Sequence, residues 1–203
     1  MNLLGLDARH MGVEMSGAYQ PNPMLRIDAA ASLGKWNYTN NVSGTYRPDE
    51  GSGDVQSFNF YIEDLKVGDA PQSQLAVAAS VFPVSGASVQ LVGKLFGNHY
   101  AEYDPFSRTD DPGASGAVAS WQAPGYNVFD LHGSYNLSDL LPVGNGADVR
   151  LFVNVFNLFD NTYVQDAVDN SRFNGFDGDH DADDAEVFLG LPRSFNLGFS
   201  VRY

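Results

Sequence analysis

RSFNLGFSVRY, residues 193–203, decides how the whole chain is read. Phe195, Leu197, Phe199, Val201 and Tyr203 are apolar, and Ser194, Asn196, Gly198, Ser200 and Arg202 between them are polar or small. Side chains of an extended strand alternate between its two faces, so the segment predicts a strand with one apolar and one polar face, running up to the final residue. A protein core or a lipid bilayer could cover that apolar face, and the remaining sequence has to separate the two.

The same period recurs upstream. It places Met11, Val13, Met15 and Tyr19 on one side of residues 11–20, and Leu25, Ile27, Ala29, Ala31 and Leu33 on one side of residues 25–34. Residues 74–82, 88–98, 128–137 and 148–156 repeat it, the second of these least cleanly because Val92 and Phe96 fall on its polar side. Almost nothing has a 3.6-residue period, and 21 Gly, 14 Phe and 10 Tyr accompany the alternation. The chain is therefore predicted to be all-β, with seven long strands.

The links between these strands alternate in length. PNPM (21–24), PVSGA (83–87) and SDLLPVGNG (138–146) are short, whereas the links near 37–73, 104–125 and 160–192 are long. In an antiparallel up-and-down sheet, successive links lie at opposite ends, so all short turns share one end and all long loops the other. Outer-membrane β-barrels have this asymmetry, and strands of ~9–11 residues tilted at ~45° cross a bilayer core. A soluble acidic β-barrel or β-sandwich acting as a binding module would instead turn the apolar face inward. Alternation alone fits both, but a sandwich has no reason to sort loops by length. VQSFNFYIEDL (55–65) is read as a strand or hairpin projecting from the first long loop, since a spanning strand there would break the sorting.

Composition removes several function classes. The chain has 25 acidic against 11 basic residues, a balance unsuited to a nucleic-acid groove, which needs clustered cations. It has no cysteine, hence no disulfide, thiolate metal site or thiol nucleophile. No apolar run approaches the ~20 residues of a membrane-spanning helix. MNLLGLDARHMG at the amino terminus has no basic start like that of a secretion signal, so the chain is expected to be either cytoplasmic or a piece of something longer. If the long loops lie outside, the first strand starts outside, and seven strands then form the carboxy-terminal part of a larger barrel.

Four stretches bear a family resemblance. VNVFNLFDNTYV (153–164) resembles the penultimate-strand motif of TonB-dependent outer-membrane receptors, and GLPRSFNLGFSVRY (190–203) their Gly-x-Pro-Arg entry and final strand. HMGVEMSGAYQPNPMLRIDAAASLGKWNY (10–38) is similar to their His-x-Gly-Val-Glu strand, periplasmic turn and next strand, and APGYNVFDLHGSYNL (123–137) to a later Pro-x-Tyr strand. The motifs keep family order across nearly the whole chain.

The resemblance implies a barrel of about 22 strands closed by an amino-terminal plug, with residues 1–203 as its carboxy-terminal portion and the plug and earlier strands not included. It implies TonB-driven import, in the outer membrane of a Gram-negative bacterium, of a small-molecule ligand such as a metal chelate, cobalamin, haem or a saccharide. Partners would be outer-membrane lipid and lipopolysaccharide, TonB through the plug, and the barrel-assembly machinery. The family's terminal assembly signal maps onto Asn196, Gly198, Val201 and Tyr203.

Candidate chemistry is sparse. FDGDHDADDAE (176–186) is the densest polar cluster, and alternate carboxylates at Asp177, Asp179, Asp181 and Asp183 can converge on Ca²⁺, a cation that takes about six to eight oxygens. Such an ion could also bridge to lipopolysaccharide phosphates. An EF-hand is not expected, because Ala182 stands where that loop needs Gly and Phe188 where it needs the bidentate Glu. The other reading is a solvated acidic loop. His10, His99, His132 and His180 lie in separate segments, which predicts neither a catalytic triad nor a zinc site, and no enzyme activity is expected. His132 is expected to be a structural hydrogen-bonding residue on the polar face. Trp36, Tyr46, Tyr103 and Trp121 are candidates to stack on a ligand's rings, or else to form an interfacial aromatic girdle.

Overall fold

In a computed structural model, described for residues 4–46, 55–138, 148–170, 175 and 177–202, the chain is almost entirely β. Strands β1 (Ala8–Asn22) and β2 (Leu25–Tyr38) form a long hairpin, followed by a short pair, β3 (Val42–Tyr46) and β4 (Gln56–Phe60). β5 (Ser73–Val81) and β6 (Ala87–Gly97) come next, then the two-residue strands β7 (His99–Tyr100), β8 (Glu102–Tyr103) and β9 (Gln122–Ala123). Short 3₁₀ turns at Pro105–Arg108 and Gly113–Ser115 lie between β8 and β9. β10 (Tyr126–Asn136), β11 (Asp148–Phe156), β12 (Val164–Asp169), β13 (Ala185–Leu189) and β14 (Ser194–Arg202) complete the chain.

Seven strands form one sheet in the order β1-β2-β5-β6-β10-β11-β14, with every neighbouring pair antiparallel. They are the seven alternating segments of the sequence, joined up and down. The expected link pattern holds: only Pro23 and Met24 separate β1 from β2, and Phe82–Gly86 separate β5 from β6. Gly86 ends that second turn at φ +77°, a conformation that side chains other than glycine rarely adopt, and its carbonyl accepts from the Asn136 N–H at 2.9 Å. The third short link, at 138–146, lies outside the described residues beyond Ser138.

This wall is single-layered. Phe195, Leu197 and Phe199 of β14 are 72%, 74% and 73% exposed, and Met11, Val13, Met15, Leu33, Leu91 and Leu95 share the same kind of exposure on other strands. A soluble sandwich would cover such a face with a second sheet; among the described residues no second sheet lies on it, and Phe159 meets the Phe129 ring edge-on at 5.3 Å. The opposite face is laced by hydrogen bonds. Lys94 Nζ donates to Asp130 Oδ2 at 2.7 Å, Gln90 Nε2 to Ser80 Oγ at 2.8 Å, and the Ser88 and Ser134 hydroxyls meet at 2.8 Å. His132 Nδ1 pairs with Asn154 Oδ1 at 2.8 Å, the structural role expected of it.

The buried core lies elsewhere. Val42, Phe60, Ile62, Leu65 and Tyr103 pack together inside the long links, at the end of the sheet away from the short turns. The 55–65 segment contributes β4 to this cap by pairing with β3, as a projecting hairpin should.

Candidate functional site

The cap is lifted from the wall by the VFNLFDN stretch. At the end of β11, Asn157 and Asp160 adopt φ of +50° and +57°, left-handed values for which Asn and Asp carry the smallest penalty among residues with side chains. Asn157 donates its N–H to Asp130 Oδ1 at 2.9 Å, and its side-chain Nδ2 reaches the carbonyls of Asn161 and Leu191 at 2.9 and 3.1 Å. Asp160 Oδ1 accepts from the Arg193 N–H at 2.8 Å, and Leu158 N–H reaches the Phe129 carbonyl at 2.7 Å. Gly190 lies beneath the ring of Tyr163, where any side chain would collide, and donates its N–H to the Tyr163 carbonyl at 2.9 Å. The two terminal motifs thus close one knot, which turns β11 outward and returns the chain into β14.

Beyond the knot the three long links lock together. Tyr61 N–H donates to the Arg108 carbonyl at 2.8 Å, and Gly68 is covered by the backbone of Ala101 and Glu102 so closely that only glycine fits. β8 pairs in parallel with β12, which pairs with β13. The second and third links are joined through Arg108. Its Nη2 meets Asp169 Oδ2 at 2.7 Å, its Nη1 donates to the Val118 carbonyl at 2.6 Å, and His180 Nδ1 lies 2.7 Å from the same Asp169 oxygen. Arg108, Asp169 and His180 are all buried. Burial pushes the guanidinium down from its usual range while Asp169 opposes the shift.

The candidate aromatics divide. Tyr46 is exposed and forms a cleft of about 390 Å³ with Gln56, Phe58, Phe106 and Thr109; its ring meets Phe106 edge-on at 5.7 Å. Phe58 and Phe106, perpendicular at 5.6 Å, were not candidates from sequence, because nothing local signals that residues 48 apart share a cleft. Trp36 stands half-buried at the top of β2 beside His10, 5.3 Å between ring centres. Trp121 is half-buried, its carbonyl accepting from Ala101 N–H at 2.8 Å. Tyr103 is 8% exposed and edge-on to Tyr38, and burial, then Tyr38 and Glu102, push its phenol up to about 12. It serves the cap core and offers no ring face to a ligand.

The last strand places Asn196 on the polar face, where its Oδ1 accepts from Asn154 Nδ2 at 3.1 Å. Gly198 faces the ring of Phe152, its ladder partner, and a side chain at 198 would strike that ring. Val201 pairs with Val149 on the apolar face, and Tyr203 lies outside the described residues.

The acidic stretch gathers Asp177, Asp179, Asp183 and Asp184, each with one oxygen within 4.8 Å of the others. Asp181 borders this set without an oxygen that close to all of its members: its Oδ1 accepts from the Asp183 N–H at 2.9 Å, capping the turn. A hydrogen bond with Asp181, and its charge, push the Asp183 carboxyl up from the usual range. Asp184 belongs to the same acidic stretch but falls outside its alternating set; His180 at φ +59° and a turn at 182–184 bring it in.

No family model matches the chain, and no curated protein matches it by sequence. Solved structures do. The ferric yersiniabactin uptake receptor FyuA from Yersinia pestis aligns over 97% of this chain and 23% of its own, with TM-score 0.55 and 16% identity. The ferric-catecholate import receptor Fiu from K12 E. coli aligns over 96% of this chain and 21% of its own, with TM-score 0.53 and 21% identity. The copper transporter OprC aligns over 94% and 23%, with TM-score 0.53 and 19% identity. The chain is thus folded like a segment of the barrel wall of TonB-dependent receptors, together with its loops, and spans less than a quarter of the structures it matches.

Proposed function

We propose that the chain is the carboxy-terminal part of a TonB-dependent nutrient receptor in a Gram-negative outer membrane. The observation that carries this reading is the wall: a single sheet, apolar and uncovered on one face, hydrogen-bonded on the other, in a fold aligned over nearly its whole length with three import proteins. Lipid is the natural cover for the apolar face. The long links are then extracellular and the short turns periplasmic, and the polar face looks into a lumen filled by the plug.

The cap supplies ligand contacts. Tyr46, with Phe58 and Phe106, offers ring faces for a sugar or chelator, and Trp36 sits at the lumen mouth. Trp121 is a weaker candidate by its partial burial. Excess acid in the chain favours a neutral saccharide or a cationic ligand over an anionic chelate. Asn196, Gly198, Val201 and Tyr203 form the address read by the barrel-assembly machinery, although Asn196 and Gly198 also serve the wall directly. Lipopolysaccharide would surround the upper wall.

Site-specific labelling tests the placement. A cysteine at Asp111, in the cap, is expected to react with an impermeant maleimide on intact cells, and one at Ser85, in a short turn, only after the outer membrane is opened. Equal labelling of both, or a monomeric folded protein in buffer without detergent, would sink the reading. Import follows from growth: a deletion strain should fail on one member of a panel of ferric chelates, cobalamin, copper and oligosaccharides.

A further inference from the structure

We infer that the third long link holds a Ca²⁺ ion between Asp177, Asp179, Asp183 and Asp184. Four carboxylates crowded together are common on acidic surfaces, and three of these are exposed; the fourth changes the argument. Asp184 is 0% exposed, and neither of its carboxylate oxygens has a hydrogen-bond partner among the described residues. An ionised carboxylate removed from water without a partner is strongly disfavoured. Arg108 influences Asp184 electrostatically but gives its terminal hydrogen bonds to Asp169, Val118 and Ser120. The Asp184 side chain instead turns its oxygen toward the three other acids.

The dimensions suit a hard cation. Oxygens on opposite sides of a Ca²⁺ ion lie up to about 5 Å apart, and the four here fall within 4.8 Å of one another. Space is kept for them by Gly175, at φ +62°: a Cβ there would stand 2.7 Å from Asp184 Oδ1 and 3.1 Å from Asp183 Oδ1. The ion would fasten the outer part of the link to buried structure. Asp184 follows the buried His180, which contacts the Arg108–Asp169 pair, and its carbonyl accepts from Asn170 N–H at 2.9 Å. Cation binding therefore orders the cap at the point where its second and third links meet. The inference does not depend on which nutrient is imported.

The test uses the receptor purified in detergent from outer membranes and stripped with a chelator. Calorimetric titration with CaCl₂ should contain a binding event that weakens at least about tenfold in Asp184→Asn and in Asp183→Asn, and persists in Asp181→Asn, whose side chain caps the turn. Asp183 is exposed, so its variant keeps the test valid if Asp184→Asn misfolds. Ca²⁺ should also slow proteolysis within 175–186 in the wild-type protein and not in the first two variants. Identical Ca²⁺ isotherms in wild type and both variants, no Ca²⁺ effect on cleavage, or equal affinity for MgCl₂ would overturn the assignment.

Discussion

Leu197 in the wall is 74% exposed and its ladder partner Val153 is 43% exposed, while Phe60 and Ile62 in the cap are completely buried. Both regions are β-structure from one chain, yet they use apolar residues in opposite ways. The wall carries its stability in continuous backbone ladders and needs an outside medium for its apolar face. The cap has short strands, some of only two residues, and holds together through a small core and the buried Arg108–Asp169–His180 cluster. A region built like the cap can be rebuilt by sequence change without disturbing the wall beneath it, as loops on a rigid scaffold commonly are.

The largest expected effect falls on the cap. Asp169→Ala takes from buried Arg108 the carboxylate to which it is hydrogen-bonded, with Asp104 and Asp184 acting on it only through space; breaking a buried pair in this way costs about 3–5 kcal/mol. Because the pair joins the second and third links, cleavage by added protease at 98–125 and 157–193 should rise sharply. The wall should stay folded, read as unchanged heat-modifiable migration on a gel. Cap and wall unfolding together would break the distinction drawn between them.

Leu197→Arg acts on the other side. If the wall lies in the outer membrane as proposed, an arginine at 197 faces lipid near mid-bilayer at a cost of about 2–4 kcal/mol, so the level of folded protein in that membrane should drop. Asn196→Arg, one residue away on the polar face, should be tolerated far better. Equal losses at 196 and 197 would mean that the two faces do not see different media.

These two substitutions also mark how far the sequence could be read. The face occupied by Leu197 was legible because a strand with one uncovered apolar face and one hydrogen-bonded polar face imprints that difference on every second residue. The knot at Asn157, Asp160 and Arg193 was visible as two motifs, though not as one structure, since its bonds join residues up to 34 apart. The cap core was not legible at all: Val42 and Phe60 of the first long link meet Tyr103 of the second only after the two fold over one another, and no local period records that. Tyr103 therefore looked like a ligand-facing aromatic, a choice between solvent and interior that only non-local packing makes.

The smallest expected effect concerns pH and the base of the cap. His99 is buried just above β6, with neither ring nitrogen paired among the described residues, and burial lowers its pKa while Asp166 and Asp69 pull it upward. An unfolded histidine titrates near ~6.5, so the opened cap takes up a proton more readily than the closed one. The stability that neutral His99 contributes is fully present above that value and is lost as pH falls toward the lower folded pKa. Glu102 runs the other way: burial, then Asp69 and Asp166, raise its pKa, so acid relieves its cost, but only as pH approaches the carboxylate range. Between about pH 6.5 and 5 the histidine should dominate. Amide protection across 99–103 and 120–123, corrected for the intrinsic exchange rate, should therefore be lower at pH 5.5 than at pH 7.5, with the wall amides unchanged. His99→Gln should flatten that difference; a pH response that survives the substitution would assign it to the acidic neighbours, and with it the weak point where cap meets wall.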